Sequence, residues 1–322
     1  MTFRCEQDFL DLIDRHFPDT PGSARPKRGD DCCIVPRGSN LCLSTDLFLD
    51  TVHFRRSYFH PEEIGYKALA VNISDVAAMG GVPKGFTMEL MIPDNMPDDF
   101  WPRFLTGMSA LARKHDLTLG GGDLSRSPNL GVGMTIWGEP GPSGRFLARG
   151  DARPGDLLFV VGKIGLARVG FYSLEESGNA ARDAFPEATA AHLRPRPKVA
   201  EGLALASFPQ VRGVMDISDG LARDLPRFLA QSQAKGADLD LSYCTSHPEV
   251  LLYAQNHARA PHEVVLLGGE DYGLLGACSP ESLRALQASL PELTVIGTAT
   301  NLPGLRLHGD PLTLPGFDHF TS

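Results

Sequence analysis

The sequence predicts a protein of two parts that alternates strands and helices, an α/β or α+β fold. Three observations predict it. The chain has 322 residues, 42% hydrophobic and 21% charged, which suits two compact cores and not a disordered polymer. Segments of period two alternate along it with segments of helical period. A run of breakers, Glu139-Pro140-Gly141-Pro142-Ser143-Gly144, interrupts this pattern near the middle and sets a boundary near residue 145.

Met1 to Phe17 interleaves Arg4, Glu6, Asp8, Asp11, Asp14 and Arg15 with apolar residues at helical spacing, unlike the unbroken apolar core of a signal peptide. No apolar run is long enough to span a bilayer, so the cytoplasm is the expected location and no membrane is expected as partner. Asp30 to Val35 and Leu41 to Asp46 read as short strands. Ile64 to Met79 reads as a buried helix, Phe86 to Ile92 as a strand, Phe100 to His115 as an amphipathic helix and Leu130 to Gly138 as a strand. Beyond the boundary, Leu157 to Gly162 reads as a strand followed by a long helical pattern, and Pro195-Arg196-Pro197 precedes another helix. Val214 to Ile217 is a strand running into a helix start at Ser218-Asp219-Gly220-Leu221, with the Ser218 hydroxyl as its expected cap. Val264 to Leu267, Leu293 to Ile296 and Leu305 to Leu307 are further candidate strands. The halves share a faint echo: Asn72-Ile73-Ser74-Asp75 is similar to Asp216-Ile217-Ser218-Asp219, and Gly121-Gly122-Asp123 to Gly268-Gly269-Glu270.

The formal net charge of −9 disfavours nucleic acid or an anionic membrane as main partner, but it permits anionic substrates if carboxylates first collect divalent cations. Cys5, Cys32, Cys33, Cys42, Cys244 and Cys278 form no C-x-x-C pair, so they read as small core residues rather than a zinc site.

The informative feature is where the carboxylates sit. Asp30 and Asp31 open a strand, Asp46 closes one, Asp75 lies in an otherwise apolar helix, Asp123 follows three glycines, Asp216 and Asp219 flank a turn, and Glu270 and Asp271 follow Gly268-Gly269. An unpartnered buried carboxylate is costly. Turn and cap chemistry accounts for any one of them. Few basic residues lie beside the set, and magnesium, which takes hard oxygen ligands and bridges carboxylates to phosphates, accounts for it as a whole.

Gly120-Gly121-Gly122-Asp123 permits either a close approach of backbone to an anion or a tight turn. The Walker, Rossmann and protein-kinase signatures are missing. Arg149 suits a phosphate or open solvent. His53 follows the Asp46 strand, and Pro315 to Phe320 is aromatic enough either to dock the C-terminus or to wall a flat ring.

Together these motifs resemble the thiamine-monophosphate kinase family, of the superfamily that includes aminoimidazole ribonucleotide synthetase. The resemblance rests on GDD at 29–31, STD at 44–46, VHF at 52–54, GYKALAVNISDVAAMG at 65–80, GGGD at 120–123, RGDARPGD at 149–156, DISDGL at 216–221, GGEDY at 268–272 and GFDHF at 316–320. It implies ATP-dependent phosphorylation of thiamine monophosphate to thiamine diphosphate. It implies magnesium held by Asp30, Ser44, Thr45, Asp46, Asp75, Asp123, Asp216 and Asp219, with Asp75, Asp123 and Asp216 central to catalysis. Gly121, Gly122, Arg149 and Ser218 would contact ATP, together with His115, which stands where the family carries a tyrosine. His53, Glu270 and Phe317 would contact thiamine monophosphate. The implied architecture is a homodimer, with an N-terminal ATP/magnesium-binding and dimerising domain over residues 1–145. An α+β C-terminal domain over 146–322 would complete the cleft.

The acceptor is already a phosphate, so direct in-line transfer needs no strong base, only relief of the repulsion between two anions. Aminoimidazole ribonucleotide synthetase and selenophosphate synthetase are alternatives on the same scaffold. Cys5 lacks the glycine-rich setting of the latter's reactive residue, and the chain ends without the cysteine of the related hydrogenase-maturation dehydratase. A non-catalytic sensor of nucleotide or thiamine diphosphate would be expected to lose several of these carboxylates, and this chain keeps them.

Overall fold

The computed structural model describes residues 33–35 and 40–312. The first half comprises β1 (Cys33–Val35), β2 (Leu41–Leu49), α1 (Pro61–Ala78), β3 (Gly81–Ile92), α2 (Phe100–Lys114), β4 (Thr118–Arg126) and β5 (Gly131–Pro140). Its five strands form one sheet in the order β1-β2-β5-β3-β4, antiparallel except for the parallel pair of β3 and β4.

The second half comprises β6 (Leu157–Val161), α3 (Leu166–Ser177), α4 (Ala181–Ala184), α5 (Pro186–Leu193), α6 (Val199–Ala206), β7 (Val211–Asp216), α7 (Leu221–Ala230), β8 (Gly236–Leu239), α8 (Pro248–Asn256), α9 (Pro261–Leu266), β9 (Leu274–Cys278), α10 (Leu283–Ser289), β10 (Leu293–Thr300), β11 (Gly304–Leu307) and β12 (Asp310–Leu312). Its sheet runs β12-β11-β8-β10-β6-β9-β7, with β11 parallel to β8. The segment 141–156 joins two separate sheets, the mixed α/β and α+β arrangement that the alternation predicts. Among the described residues no helix is long and apolar enough to cross a membrane.

Helix α1 positions the site. It starts at Pro61, whose missing N–H costs nothing in the first turn, and Glu63 reaches back to accept from the His60 amide at 2.9 Å. It packs against the first sheet and α2 on one side, and touches α6 and β7 of the second half on the other. That double contact explains why it is apolar almost all round. Helix α2 needs one apolar stripe only, and buries Phe100, Phe104, Met108 and Leu111. The two helices cross closely: a Cβ on Gly65 would lie 2.0 Å from the Phe104 carbonyl oxygen, and one on Gly107 would lie 1.9 Å from that of Glu62.

Two expectations fail here, and the echo between the halves has no counterpart in structure. Val264 to Leu267 falls largely in helix α9, not a strand. Its short apolar run fits either period, and Pro261 at the first helical position starts a helix. Gly120-Gly121-Gly122-Asp123 is neither a turn nor a loop but the middle of β4, paired along β3. The echoed tetrapeptides occupy unlike structure, a helix at 72–75 and a strand end and turn at 216–219.

Candidate active site

A cavity of about 340 Å³ opens where α1 meets the second sheet. Its walls include Asp46, His53, Asp75, Asp216, Ser218, Asp219, Glu270 and Tyr272, brought from both halves. Period-two alternation along β2 puts Ser44 and Asp46 on one face. Ser44 Oγ donates to Asp75 Oδ2 at 2.5 Å, which orients that carboxylate from across the interface between sheet and helix. Ser74, the neighbour of Asp75, donates to Asp216 Oδ2 at 2.9 Å. Asp216 ends β7 and is buried. Asp46, Asp75 and Asp216 converge about Tyr272. Burial, together with the charges of Glu270 and these three aspartates, pushes its phenol well above the usual tyrosine range.

His53 is fixed by its own turn. The Leu49 amide donates to its Nδ1 at 3.0 Å, so the neutral ring carries its proton on Nε2, and the ring stacks on Phe48 at 5.9 Å. Glu270 and Tyr272 both adopt left-handed backbone, with φ of 62° and 47°. Their amides donate to the carbonyls of Ser218 and Ile217 at 2.6 and 2.9 Å, which locks this turn to the turn after β7. Asp271 between them accepts from the amides of Gly165 at 2.6 Å and Ala167 at 3.0 Å, and so caps α3 from a distant segment. Burial pushes its carboxyl up to about 7, against the pull of those two amides.

Several expected site residues lie elsewhere. Thr45 points to the opposite face of β2 from Ser44 and Asp46 and gives its hydroxyl proton to the Met134 carbonyl at 2.8 Å, so the structure does not place it as a metal ligand of this cavity. Asp123, Gly121 and Gly122 lie on the exposed edge strand β4, where Asp123 pairs in register with Glu89 and accepts from Ser125 at 2.8 Å. Strand pairing with β3 holds this run extended and outside the cavity. His115 follows the end of α2, where burial lowers its pKa, and does not line the cavity.

Ser218 is not the cap of α7: Gly220 takes that position, and the Asp224 carboxylate accepts from the Asp219 amide at 3.0 Å. Ser218 instead lines the cavity. Asp219 contradicts the expectation that these carboxylates lack basic neighbours, because Arg227 donates to it at 2.6 Å and Arg223 lies 3.7 Å away. Arg149 lies near this group, and its charge lowers the pKa of Asp224, which burial pushes up to about 7. Asp30, Asp31 and Phe317 fall outside the described residues.

Lys67 and His192 were not among the expected site residues. Lys67 Nζ lies 3.2 Å from Glu270 Oε1, and His192 Nδ1 lies 3.0 Å from Oε2. Both partners are buried, and a lysine inside an otherwise apolar helix was the one legible hint.

The donor set suits a hard cation. The lining contains five carboxylates, Asp46, Asp75, Asp216, Asp219 and Glu270, against one guanidinium, Arg168. Arg168 itself donates to the Leu267 carbonyl at 2.6 Å. Among the described residues no three His, Cys, Asp or Glu side chains form a complete metal site, so substrate oxygens would have to supply further ligands.

Residues 29–139 match the family described as AIR synthase related protein, N-terminal domain, and residues 153–310 match its C-terminal domain. The chain is 32% identical to thiamine-monophosphate kinase of Synechococcus elongatus, with 98% of this chain and 97% of the relative covered. It is 34% identical to the Escherichia coli K12 protein of the same name, over 91% of each. A solved structure of AaThiL complexed with AMPPCP and TMP superposes with a TM-score of 0.87 at 29% identity, over 99% of each chain.

Proposed function

Since this chain belongs to the thiamine-monophosphate kinase family, within the AIR synthase related proteins, we propose that it transfers the γ-phosphoryl group of ATP to thiamine monophosphate, giving thiamine diphosphate and ADP. The observation that carries the reading is the charge of the cavity. Of the five carboxylates on its wall, Asp219 is paired with Arg227 and Glu270 with Lys67, and the convergence of the other three, Asp46, Asp75 and Asp216, would repel two phosphorylated substrates unless divalent cations came between. Asp46, Asp75 and Asp216 are the residues proposed to hold magnesium, with Asp30 assigned by the sequence. The bound ions would neutralise phosphate charge and hold the reacting groups in line.

The protein's own part is positioning. Ser44 and Ser74 orient two of the metal-binding carboxylates. Ser218, with Arg149 near the adjoining Asp219 and Asp224 turn, suits the nucleotide phosphates. His53 and Glu270 suit the acceptor. No general base is required, because the attacking phosphate oxygen is already anionic near neutral pH. No step is assigned to Thr45, Asp123, Gly121, Gly122 or His115.

The proposal places the enzyme in the cytoplasm as a homodimer. What supports the dimer is the edge of the first sheet: every residue of β4 is exposed, and Leu119 and Leu124 are 52% and 67% exposed there.

The test is a chromatographic assay with ATP and magnesium that separates thiamine monophosphate from thiamine diphosphate. Magnesium-dependent thiamine diphosphate matched by ADP is expected. ADP formed only with another acceptor would overturn the substrate while leaving the metal argument intact.

A further inference from the structure

The triad around Glu270 joins three separate segments. Lys67 comes from α1 in the first half, His192 from α5 in the second, and Glu270 from the left-handed turn beside the cavity. Lys67 is 0% and His192 1% exposed, whereas the Glu270 side chain retains 27% exposure at the cavity wall. The two buried groups grip opposite oxygens of one carboxylate.

The protonation pattern follows from the geometry. His192 Nδ1 faces Glu270 Oε2 at 3.0 Å and Lys67 Nζ at 3.3 Å; we assign the proton to Nδ1 because the carboxylate, which only accepts, is the nearer of the two, and the Lys67 ammonium then acts on the ring as a neighbouring charge. Burial and then the Lys67 ammonium push the imidazole pKa down, which keeps it neutral. Its Nε2 is buried without a hydrogen-bond partner among the described residues, so its visible polar role is toward Glu270. Phe59 and Phe171 pack against its ring at 5.4 and 5.5 Å and fix its orientation. Lys67 also lies over the Phe59 ring at 5.5 Å. The unit is thus one ammonium, one carboxylate and one neutral ring.

A buried ion pair is a poor device for stability, since apolar side chains of similar size often serve as well. It is a good device for fixing a charged group in one place. Glu270 needs fixing: burial alone would raise its pKa, and its backbone lies in a region that a side chain rarely adopts.

We propose that Lys67 and His192 are positioning residues that hold the Glu270 carboxylate ionised and aimed into the acceptor end of the cavity, against the cationic heterocycle of the acceptor. This rests on the functional reading above. It assigns the two buried residues to acceptor affinity and not to phosphoryl transfer.

A double-mutant cycle tests it. Lys67→Met and His192→Leu are made in the wild-type and Glu270→Gln backgrounds, with His192→Asn as the variant that keeps a donor near Nδ1. Each is assayed for kcat and for both KM values, with the thermal midpoint recorded. Lys67→Met and His192→Leu are expected to raise KM for thiamine monophosphate about tenfold or more. Changes in kcat and in KM for ATP should stay within about threefold, and His192→Asn should recover most of the loss. In the Glu270→Gln background the same substitutions should add less than about twofold.

Penalties that multiply in that background, or that fall equally on kcat and both KM values, overturn the proposal. If Lys67→Met does not fold, the His192 arm decides by the same criteria. A wild type that converts no thiamine monophosphate overturns the functional reading and this proposal with it. A wild type that converts it, with multiplying penalties, overturns this proposal alone.

Discussion

Ser74 Oγ donates to Asp216 Oδ2 at 2.9 Å, and the bond ties helix α1 of the first half to the end of strand β7 in the second. Ser74 is 0% and Asp216 3% exposed, so the contact is dry and neither group has bulk water as a substitute partner. Its neighbour Asp75 faces the other way, to Ser44. Adjacent residues of one helix therefore meet both sheets: Ser74 orients Asp216 at the end of β7, and Asp75 is oriented by Ser44 of β2.

Ser74→Ala should leave Asp216 short of a buried donor. The expected cost is about 1–3 kcal/mol in unfolding free energy. Because Ser74 only aims Asp216, turnover should fall by about ten- to a hundredfold through misplacement, with the carboxylate still present. Urea unfolding and steady-state assays on the same preparation check both. An unchanged kcat with lowered stability would make the bond purely structural.

Asp75→Asn and Asp216→Asn keep size and shape while removing one charge each. Each should lower turnover at least about a hundredfold at saturating magnesium, while the protein stays folded. Circular dichroism and size in solution check the fold, and the assay checks the loss. Wild-type-like turnover at saturating magnesium would remove both residues from the proposed metal set.

Asp75 and Asp216 were legible because each breaks a local pattern: one interrupts an apolar helix and one precedes a strand-to-helix turn, whereas Asp46, expected to close its strand, lies inside β2. A violation of local pattern is visible without knowing the fold. Thr45 shows the limit of a short motif, since the period that places the Ser44 and Asp46 side chains together turns that of Thr45 to the other face of β2. The glycines before Asp123 left a tight turn open, because a sequence does not reveal that a neighbouring strand will pair along them. The grip of Lys67 and His192 on Glu270 was beyond reach, because it depends on how α1, α5 and a turn far along the chain meet.

Asp271 accepts from the Gly165 and Ala167 amides and so satisfies two donors at the start of α3. Asp271→Ala should orphan both, at an expected cost of about 2–3 kcal/mol. Asp271→Asn keeps one acceptor and should cost less. Thermal unfolding gives the ranking, and amide exchange at Gly165 and Ala167 localises it. Equal stability of all three proteins would show that the cap contributes nothing.

Glu270 gives the pH prediction. Burial alone would raise its pKa above the ordinary 4.5, but the Lys67 ammonium and the His192 donor outweigh it and hold the carboxyl at about 2. A folded-state pKa below the unfolded one means that the unfolded chain binds the proton more readily. The stabilisation is therefore complete above about pH 4.5 and is lost as pH falls toward about 2. Glu270→Gln has no such proton to bind. The difference in urea midpoint between wild type and Glu270→Gln should be flat from neutral pH down to about 5.5. Below about 4.5 it should shrink steadily. A difference that stays constant through the acid range would mean that Glu270 is not held ionised by its two partners, and one that widens in acid would mean that its pKa is raised on folding.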